Sequence, residues 1–364
     1  MSEILKYQQI YQSGKMPRYG HSNHGARSIA LLEKWQAKSV LDVGCGYNEF
    51  SKSVAAKMGI EAIGVDFACP GAEIVCPASK LPFQDRQFDV VTSFDMLEHL
   101  LPDEVDATLD EMRRVSNRFI VSISYVDSVN KWDGKTLHPT VRPEHWWITR
   151  LIRAGAVSIS KNGRFITGKW RNPLKIKKGS SVILVGNGPS ALSVKRGAFI
   201  DSFDEVIRFN NFITEGFQDF VGKKTTLWSA FFKKADDTPK FPRAFCIHEK
   251  DNPLPGVAVA YCMASWFYDR VRKQVQERAL WASGFTRNTE PLLASSGMLL
   301  ASYLLDVVGV EQLFVTGFDH FSKVRSGQHH YWMPQSFKKP AEHDGDIEKS
   351  MFDELVQVGR IVRL

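Results

Sequence analysis

The chain has 364 residues, of which 43% are hydrophobic and 24% charged, so it is long enough for two globular domains and is not of the disordered class. No apolar run of about 18 residues is present, and we expect no transmembrane helix. The net charge of +7 fits a solvated basic surface, or attraction to an anionic nucleotide-sugar, glycan or membrane surface. The basic residues are dispersed and form no recognised binding motif, which argues against nucleic acid as a partner.

The cysteines and the first residues bear on the compartment. Five cysteines are present, an odd number without a Cys-x-x-Cys pair, which favours a reducing cytoplasm and argues against a zinc site. The first eight residues lack the apolar core of a signal peptide. We therefore expect a cytoplasmic protein.

Short apolar segments alternate with amphipathic helical patterns along the chain. In the first half, strands are predicted at 39–43, 62–65, 90–94 and 119–124. A basic segment with Pro173 and Gly179 then predicts a linker at 169–179. Beyond it, strands are predicted at 181–185, 206–209, 227–231, 257–261 and 312–316, and a buried helix at 298–308. We predict two Rossmann-like α/β domains, 1–168 and 180–364, each a mostly parallel sheet flanked by helices.

A glycine turn follows the first predicted strand. Gly44 and Gly46 enclose Cys45 there, and glycines are needed where a ligand approaches the backbone so closely that a Cβ would collide. Asp66 stands about twenty residues further on, at the end of the next strand, where a carboxylate can bind both hydroxyls of a ribose. The combination fits a nucleoside-containing cofactor, and by itself it also fits a dinucleotide.

The next block of sequence narrows the choice. It comprises Leu81-Pro82-Phe83, Phe88-Asp89-Val90-Val91 and Leu97-Glu98-His99-Leu100. Together with the glycine turn, this set resembles class I S-adenosylmethionine-dependent methyltransferases over residues 20–155. The resemblance implies S-adenosylmethionine as the cofactor, with Asp42, Gly44 and Gly46 around its methionine part. It also implies that Asp66 binds the ribose.

Two positions depart from that family. Asn48 stands where the turn usually has a third glycine, and Pro77 stands where an acid commonly faces the adenine. A backbone amide can replace the second contact, so we still expect cofactor binding. Two roles remain open for His99: a general base for O-methylation, or a structural residue, because the Leu-Glu-His-Leu element occurs in the family whatever the substrate.

Two asparagines follow neighbouring predicted strands in the second half. Asn187 lies in the turn after the strand at 181–185, and Asn210 ends the strand after it. Such a pair can clasp a nucleoside monophosphate without a metal, although each alone is more typical of a turn. Near the chain end, His330 and His343 predict an acid/base site, since the ordinary pKa of histidine is nearest neutrality.

Four segments in order resemble the sialylmotifs of glycosyltransferase family 29, the animal-type sialyltransferases. They are 182–210, 295–318, 329–332 and the His-x4-Glu pair at 343 and 348. The resemblance implies a CMP-activated donor and no metal, since CMP is a leaving group that needs a positioned base and charge stabilisation. The residues implied to hold CMP are Asn187, Asn210, Ser295, Ser296 and Gly297. His330 is implied to neutralise the departing phosphate and His343 to be the general base, with Glu348 as an orienting residue.

One departure from this second family concerns its disulfide. Val182 and Val310 occupy the apparent positions of the bridged cysteines, which fits a bacterial enzyme of the cytoplasm. The identity of the sugar stays open between sialic acid and Kdo (3-deoxy-octulosonate), because both are activated by CMP.

Our main hypothesis is a bifunctional enzyme that transfers a CMP-activated sugar to a glycan with inversion and O-methylates a sugar. The glycan is expected to be a lipid-linked or surface polysaccharide, or lipopolysaccharide, and the protein to be cytoplasmic, with at most peripheral contact with the inner membrane. The alternative is a single-activity glycosyltransferase whose first domain is a non-catalytic binding module. A nicotinamide oxidoreductase is a weaker rival, since it needs a fuller G-x-G-x-x-G than either half has.

Overall fold

The computed structural model describes residues 3–21, 24–230, 241, 243–247, 258–283, 292–320, 330–332 and 343–364. The chain divides into two compact units, Met1–Pro173 and Leu174–Leu364. The division falls within the segment 169–179. Lys169 and Trp170, which the sequence assigned to the linker, are instead the last residues of a strand in the first unit.

The first unit is built on a seven-stranded sheet. Its strands are β1 (Ser39–Val43), β2 (Glu61–Asp66), β3 (Ile74–Val75), β4 (Phe88–Phe94), β5 (Ser116–Ser122), β8 (Ala156–Asn162) and β9 (Phe165–Trp170), and β6 (Lys131–Trp132) and β7 (Lys135–Thr136) form a separate hairpin. Its α-helices are α1 (Glu3–Ser13), α2 (Ile29–Lys34), α3 (Glu49–Met58), α4 (Val105–Val115) and α5 (Glu144–Arg153), and Leu97–His99 is a 3-10 turn.

The strand order of this sheet is β3-β2-β1-β4-β5-β9-β8. Strands β1 to β5 are parallel, while β9 is antiparallel to both of its neighbours. The order reverses between β1 and β4, and ligands of open α/β sheets bind at the carboxyl ends of the strands at such a reversal. A ligand site of the first unit is therefore expected beyond Val43 and Phe94.

Burial explains why these segments form these elements. Val40, Leu41 and Val43 of β1 are at most 1% exposed, as a strand covered by helices on both faces requires. Val105 and Leu109 of α4 lie one helical turn apart and are fully buried. The apolar side chains of the sheet and of its helices are thus packed beneath the carboxyl edge.

The second unit also has a seven-stranded sheet, and every pair of neighbouring strands in it is parallel. Its strands are β10 (Val182–Val185), β11 (Glu205–Phe209), β12 (Leu227–Ala230), β13 (Arg243–Cys246), β14 (Val259–Cys262), β15 (Leu313–Thr316) and β16 (Ile361–Arg363). Its α-helices are α6 (Gly197–Asp201), α7 (Gln218–Val221), α8 (Ser265–Ala282), α9 (Ser296–Tyr303) and α10 (Gly345–Gln357). The order β14-β13-β12-β11-β10-β15-β16 reverses between β10 and β15, which marks the expected ligand edge.

The α/β prediction for both halves is confirmed. Each predicted strand corresponds to an observed one, with ends that differ by at most three residues; residues 231 and 257 lie outside the described part of the chain. The helix predicted at 298–308 begins two residues earlier and continues into a π-helical turn, Leu304–Val308. Within the described residues, no helix has both the length and the apolar character needed to cross a bilayer.

Candidate functional sites

The carboxyl edge of the first sheet borders a cavity of about 570 Å³. A neighbouring cavity of about 330 Å³ shares Gly44, Asp66, Phe67, Met96 and His99 with it and extends along residues 76–79. The two cavities therefore meet at Asp66. The sequence-predicted cofactor residues lie at this junction or on the wall of the larger cavity; they are Asp42, Gly44, Gly46 and Asp66.

Backbone conformation and lack of space both require glycine at Gly44 and Gly46. Both have a left-handed backbone, with φ of +80° at Gly44 and +54° at Gly46. A Cβ on Gly44 would lie 2.2 Å from Cγ of Met96, and a Cβ on Gly46 would lie 2.3 Å from the carbonyl oxygen of Gly20. Side chains at these positions would push away the segments that close over the turn.

Asp66 holds the glycine turn against the end of β2. Its Oδ2 accepts a hydrogen bond from the amide of Gly46 at 3.2 Å, and its Oδ1 accepts from the amides of Ala68 and Cys69, each at 2.9 Å. Because a carboxylate has about four lone-pair sites, these three bonds leave acceptor capacity for a ligand hydroxyl. The position is suited to a ribose at the junction of the two cavities.

Asp42 is a buried acid at the end of β1. It is 3% exposed and accepts a hydrogen bond from the hydroxyl of Thr92 at 2.8 Å. Burial, together with the charge of Asp66, raises the pKa of Asp42 to about 7 in spite of the Thr92 bond. A positively charged ligand group beside Asp42 would favour its ionised form.

The two departures from the family pattern keep the local geometry. Asn48 has a left-handed backbone (φ 62°) and is the N-cap of α3, so it adopts the conformation for which a glycine is usual. Its Oδ1 lies beside Gly64, where any Cβ would be only 1.9 Å away. Pro77 lines the smaller cavity together with Ala78 and Ser79.

His99 lies on the wall shared by the two cavities and forms a hydrogen bond between its Nδ1 and the hydroxyl of Tyr7, at 2.9 Å. Burial, helped by the neighbouring His138, lowers the pKa of His99 to about 3. The imidazole is therefore neutral at pH 7 but weakly basic, and general bases work best with a pKa near the operating pH. Its assignment as a base stays a prediction.

The sequence did not single out Asp95, which lines the larger cavity just beyond β4. It accepts hydrogen bonds from Nδ1 of His24 (2.5 Å), from Arg164 (2.5 and 2.7 Å) and from Ser122 (2.9 Å). Burial alone would raise the pKa of Asp95, but the His24 bond and the Arg164 charge outweigh it and the pKa is lowered. Its backbone is left-handed (φ 53°), a feature that no sequence pattern here reveals.

In the second unit, the loops after β10 and β15 are joined by backbone hydrogen bonds. The amide of Gly186 donates to the carbonyl of Thr316 at 2.8 Å, and the amide of Gly188 donates to that of Gly317 at 2.9 Å. A Cβ on Gly186 would lie 2.4 Å from the carbonyl oxygen of Gly317. The two motifs therefore meet where the strand order reverses.

Asn187 has a defined orientation at this edge. Its Nδ2 donates to the carbonyls of Phe209 and Asn211, each at 3.1 Å, and carbonyls only accept. Both amide hydrogens are thus used to hold the loop that contains Asn210, whose backbone is left-handed (φ 48°). The group of Asn187 that suits a ligand is its Oδ1, an acceptor.

Residues 330–332 are attached to the same loop. The amide of Tyr331 donates to the carbonyl of Asn187 at 2.9 Å, and its hydroxyl donates to the carbonyl of Ile213 at 2.5 Å. Tyr331 is 4% exposed and anchors this segment, while the ring of His330 stacks on that of Trp332 with centroids 4.8 Å apart. His330 is thereby placed at the edge that Asn187 occupies.

The turn Ser295–Gly297 opens α9. Both oxygens of Glu348 accept hydrogen bonds from Ser295, one from its amide at 2.6 Å and one from its hydroxyl at 2.5 Å, and the hydroxyl also caps α9 by accepting from the amide of Met298. A Cβ on Gly297 would lie 2.5 Å from the ring of Phe318, which keeps the turn close to the loop after β15. Ser296 is the first residue of α9.

His343 is hydrogen-bonded to the segment just before that turn. Its Nδ1 lies 2.8 Å from the carbonyl oxygen of Leu293. A carbonyl can only accept, so Nδ1 carries the proton, and in the neutral ring Nε2 has the lone pair. This is the tautomer that a base acting through Nε2 requires.

The comparisons with known proteins find two families along the chain. Residues 41–118 match the family described as a methyltransferase domain, and residues 161–234 match glycosyltransferase family 29 (sialyltransferase). A Rattus norvegicus protein, CMP-N-acetylneuraminate-beta-galactosamide-alpha-2,3-sialyltransferase 2, is 26% identical over 255 residues, which is 63% of this chain and 71% of the rat protein.

Solved structures of both kinds are also similar. A mammalian sialyltransferase in complex with Gal-beta-1-3GalNAc-ortho-nitrophenol is 21% identical, with a TM-score of 0.37, and the match covers 51% of this chain and 69% of that one. A Burkholderia thailandensis 1,6-didemethyltoxoflavin-N1-methyltransferase is 17% identical, with a TM-score of 0.37, over 47% of this chain and 92% of that one. Both resemblances found in the sequence are confirmed by the family matches, one to a methyltransferase domain over residues 41–118 and one to glycosyltransferase family 29 over residues 161–234.

Proposed function

We propose that the second unit transfers sialic acid or Kdo from its CMP form to a glycan hydroxyl with inversion, and that the first unit binds S-adenosylmethionine and methylates a sugar hydroxyl. The match of residues 161–234 to glycosyltransferase family 29 supports the transferase assignment. The observation that carries the role of His343 as base is the 2.8 Å contact between its Nδ1 and the carbonyl oxygen of Leu293, which favours the tautomer with the lone pair on Nε2. As the acceptor oxygen attacks the anomeric carbon, Nε2 takes the hydroxyl proton while the bond to CMP breaks.

The donor-side residues support this chemistry without a metal. Oδ1 of Asn187 is an acceptor and suits the amino group of cytosine or a ribose hydroxyl. The turn at Ser295 starts α9, whose N-terminal amides favour the negative charge of a phosphate. His330, held through its neighbour Tyr331, is proposed to neutralise the phosphate as CMP leaves.

The methyltransferase assignment rests on the two acids and the two joined cavities. Both acids line the larger cavity, and we propose that Asp42 binds the cationic methionine group and Asp66 the ribose hydroxyls. Asn48 keeps the left-handed turn, which supports a working cofactor site over a decayed binding module. We propose a polysaccharide or lipid-linked glycan as the common acceptor of both activities, and a cytoplasmic location with at most peripheral membrane contact.

The transferase is tested by CMP release from CMP-sialic acid and CMP-Kdo, offered in parallel with candidate glycans. Wild-type protein is expected to turn over one donor, and His343→Ala is expected to lose about 10²–10⁴-fold in rate. Asp346→Ala, a change at an exposed side chain in the first turn of α10, three residues after His343, serves as the control. Turnover that survives in His343→Ala would remove this histidine from the role of base.

The methyltransferase is tested by calorimetric titration with S-adenosylhomocysteine and by methyl incorporation from labelled S-adenosylmethionine. We expect binding in the wild type and loss of binding in Asp66→Ala. Binding without methyl transfer to any glycan would favour a regulatory or docking unit. No binding at all would contradict the cofactor assignment.

A further inference from the structure

Glu98, His99 and His138 form a cluster that the proposed reactions do not use as a set. One carboxylate oxygen of Glu98 and one ring nitrogen from each histidine all lie within 4.8 Å of one another. Glu98 and His99 belong to the turn Leu97–His99 after β4, whereas His138 lies about forty residues later, after the β6–β7 hairpin. Two separate segments therefore deliver three metal-ligating groups to one point.

The loop of His138 is fastened to the turn that carries the other two residues. The amide of Thr140 donates to the carbonyl of Glu98 at 3.2 Å, and the hydroxyl of Thr140 donates to the carbonyl of Leu100 at 2.6 Å. Thr140 is fully buried. The approach of the three side chains is thus set by backbone contacts on both sides, and does not depend on a mobile surface loop.

The hydrogen bonds of His138 fix its tautomer. Its Nδ1 lies 2.9 Å from the carbonyl oxygen of Val126. Because a carbonyl only accepts, Nδ1 carries the proton and Nε2 of the neutral ring has the lone pair. Donation of the second ring N–H to a backbone carbonyl is the usual environment of a histidine that ligates a metal.

His99 has the same arrangement. The single hydroxyl proton of Tyr7 is donated to the carbonyl of Leu137 at 3.0 Å, so the 2.9 Å contact between Tyr7 and Nδ1 of His99 is satisfied when Nδ1 donates. The lone pair of the neutral ring is then on Nε2. In both histidines the proton is therefore on Nδ1, the ring nitrogen that is hydrogen-bonded to the protein.

Glu98 supplies a carboxylate oxygen with no hydrogen bond. The residue is 0% exposed, its Oε1 accepts from the amide of Ser124 at 2.9 Å, and its Oε2 has no partner among the residues that the structure describes. A buried carboxylate oxygen without a donor is costly. The histidine nitrogens of the cluster, when they have their lone pair, are further acceptors, and a metal ion between the three groups would satisfy all of them.

We propose that Glu98, His99 and His138 bind a divalent transition-metal ion at the inner side of the first unit's cavity. Two imidazoles and one carboxylate suit zinc or another first-row ion, whereas magnesium prefers oxygen ligands. Atoms no more than 4.8 Å apart can all be reached from a central point within about 2.8 Å, so shifts of less than about 1 Å would give the ~2.0–2.2 Å bonds of zinc. No metal motif was recognised in the sequence, and its cysteine pattern argues against a zinc site, so this proposal departs from the expectation.

The ion would be next to the space already described, because His99 lines both cavities. Three protein ligands leave at least one coordination position, which an acceptor oxygen or a water can fill. The inference does not depend on the proposed methyl transfer, since metal binding is measured without cofactor or glycan.

The test is a calorimetric titration of tag-free, chelator-treated full-length protein with Zn²⁺, accompanied by the visible absorption of added Co²⁺. We expect one Zn²⁺ more per chain in the wild type than in His138→Ala, and a tetrahedral or five-coordinate Co²⁺ spectrum that this variant lacks. His145→Ala is the control, because His145 is an exposed histidine of the same unit on α5. It is expected to bind as the wild type does.

Glu98→Gln keeps the shape of the side chain and is the second variant, with folding checked by circular dichroism and by S-adenosylhomocysteine affinity. We expect its Zn²⁺ affinity to fall by about 100-fold. Equal Zn²⁺ binding in the wild type and in a folded variant would place the ion elsewhere and overturn the proposal. A wild-type protein that takes up no ion would also overturn the proposal. The three residues would then share a proton in place of a metal ion.

Discussion

Glu348 accepts two hydrogen bonds from Ser295, one at each carboxylate oxygen, across 53 positions of sequence. Glu348 is 1% exposed, and its pKa is raised to about 7 by burial although both bonds to Ser295 act in the opposite direction. The glutamate of the His-x4-Glu pair therefore acts on the turn that begins α9. We infer that it positions that turn, and His343 with it, and is not a second base.

Replacement of this acid should loosen the turn. In Glu348→Gln, an amide nitrogen takes the place of one oxygen, so one of the two Ser295 donors loses its acceptor in a buried place. We expect the free energy of unfolding of the second unit to fall by about 1–3 kcal/mol and CMP affinity to fall with it. Chemical denaturation followed by tryptophan fluorescence, and calorimetry with CMP, measure the two effects.

The matched control is on the same helix. Glu354→Gln removes a half-exposed ion pair with Arg278, and such surface pairs contribute little to stability. We expect almost no change in unfolding or in CMP affinity. If Glu348→Gln behaved like this control, the positioning role would be wrong.

Asn187 gives a second test of the donor edge. In Asn187→Asp, a carboxylate oxygen would face the carbonyls of Phe209 and Asn211 in place of the two N–H groups that now hold them. We expect loss of stability of about 1–3 kcal/mol and at least a tenfold loss of CMP affinity. Asn211→Asp changes the charge equally at an exposed side chain nearby and should bind CMP almost normally. Equal affinities for the two variants would argue against a role of Asn187 in donor binding.

The strands and the glycine turns were predictable because their causes are local. A short apolar run between turn residues has the length of a strand and is too short for a typical helix. Gly44 and Gly46 lie where the backbone is left-handed, a conformation that favours glycine. The edge strand β8 was not predicted, because most of its residues after Val157 are exposed or polar and carry no apolar pattern. Its place is decided by pairing with β9, which lies further along the chain.

The site was predictable only in part, for the same physical reason. Family motifs indicated Asp42 and Asp66, but the contact between Asp95 and Arg164 joins residues 69 apart and has no local signature. Trp147, two residues after His145, is fully buried in α5. The sequence showed an aromatic residue near a histidine, and only the packing shows which way it faces.

Asp42 predicts a pH dependence of the first unit. Burial raises its pKa from 3.8 to about 7, so between these values the folded protein keeps a proton that the unfolded chain has released. The resulting stabilisation is fully present below about pH 4 and is lost as the pH rises through about 7. Because a cationic ligand group favours the ionised acid, we expect the affinity for S-adenosylhomocysteine to rise from about pH 6 to about pH 8.

Two variants check the source of that dependence. Asp42→Asn has no titrating group there and should flatten the profile of affinity against pH. Thr92→Val removes the hydrogen bond that lowers the pKa of Asp42, so the midpoint should move to higher pH. A midpoint that stays in place in Thr92→Val, or a profile that survives in Asp42→Asn, would assign the titration to another group.

Variants at Asn48 test whether its departure from the glycine pattern marks a cofactor site that has lost its function. Asn48→Gly and Asn48→Ala remove nearly the same atoms, and they differ in that only glycine adopts the left-handed backbone without steric cost. We expect the alanine variant to be less stable than the glycine variant by about 1 kcal/mol, and only the glycine variant to keep S-adenosylhomocysteine affinity within about threefold of the wild type. Thermal unfolding and calorimetry measure both. If the two variants bound equally well, the left-handed turn would not be a requirement of the cofactor site, and the argument that Asn48 preserves that site would fail.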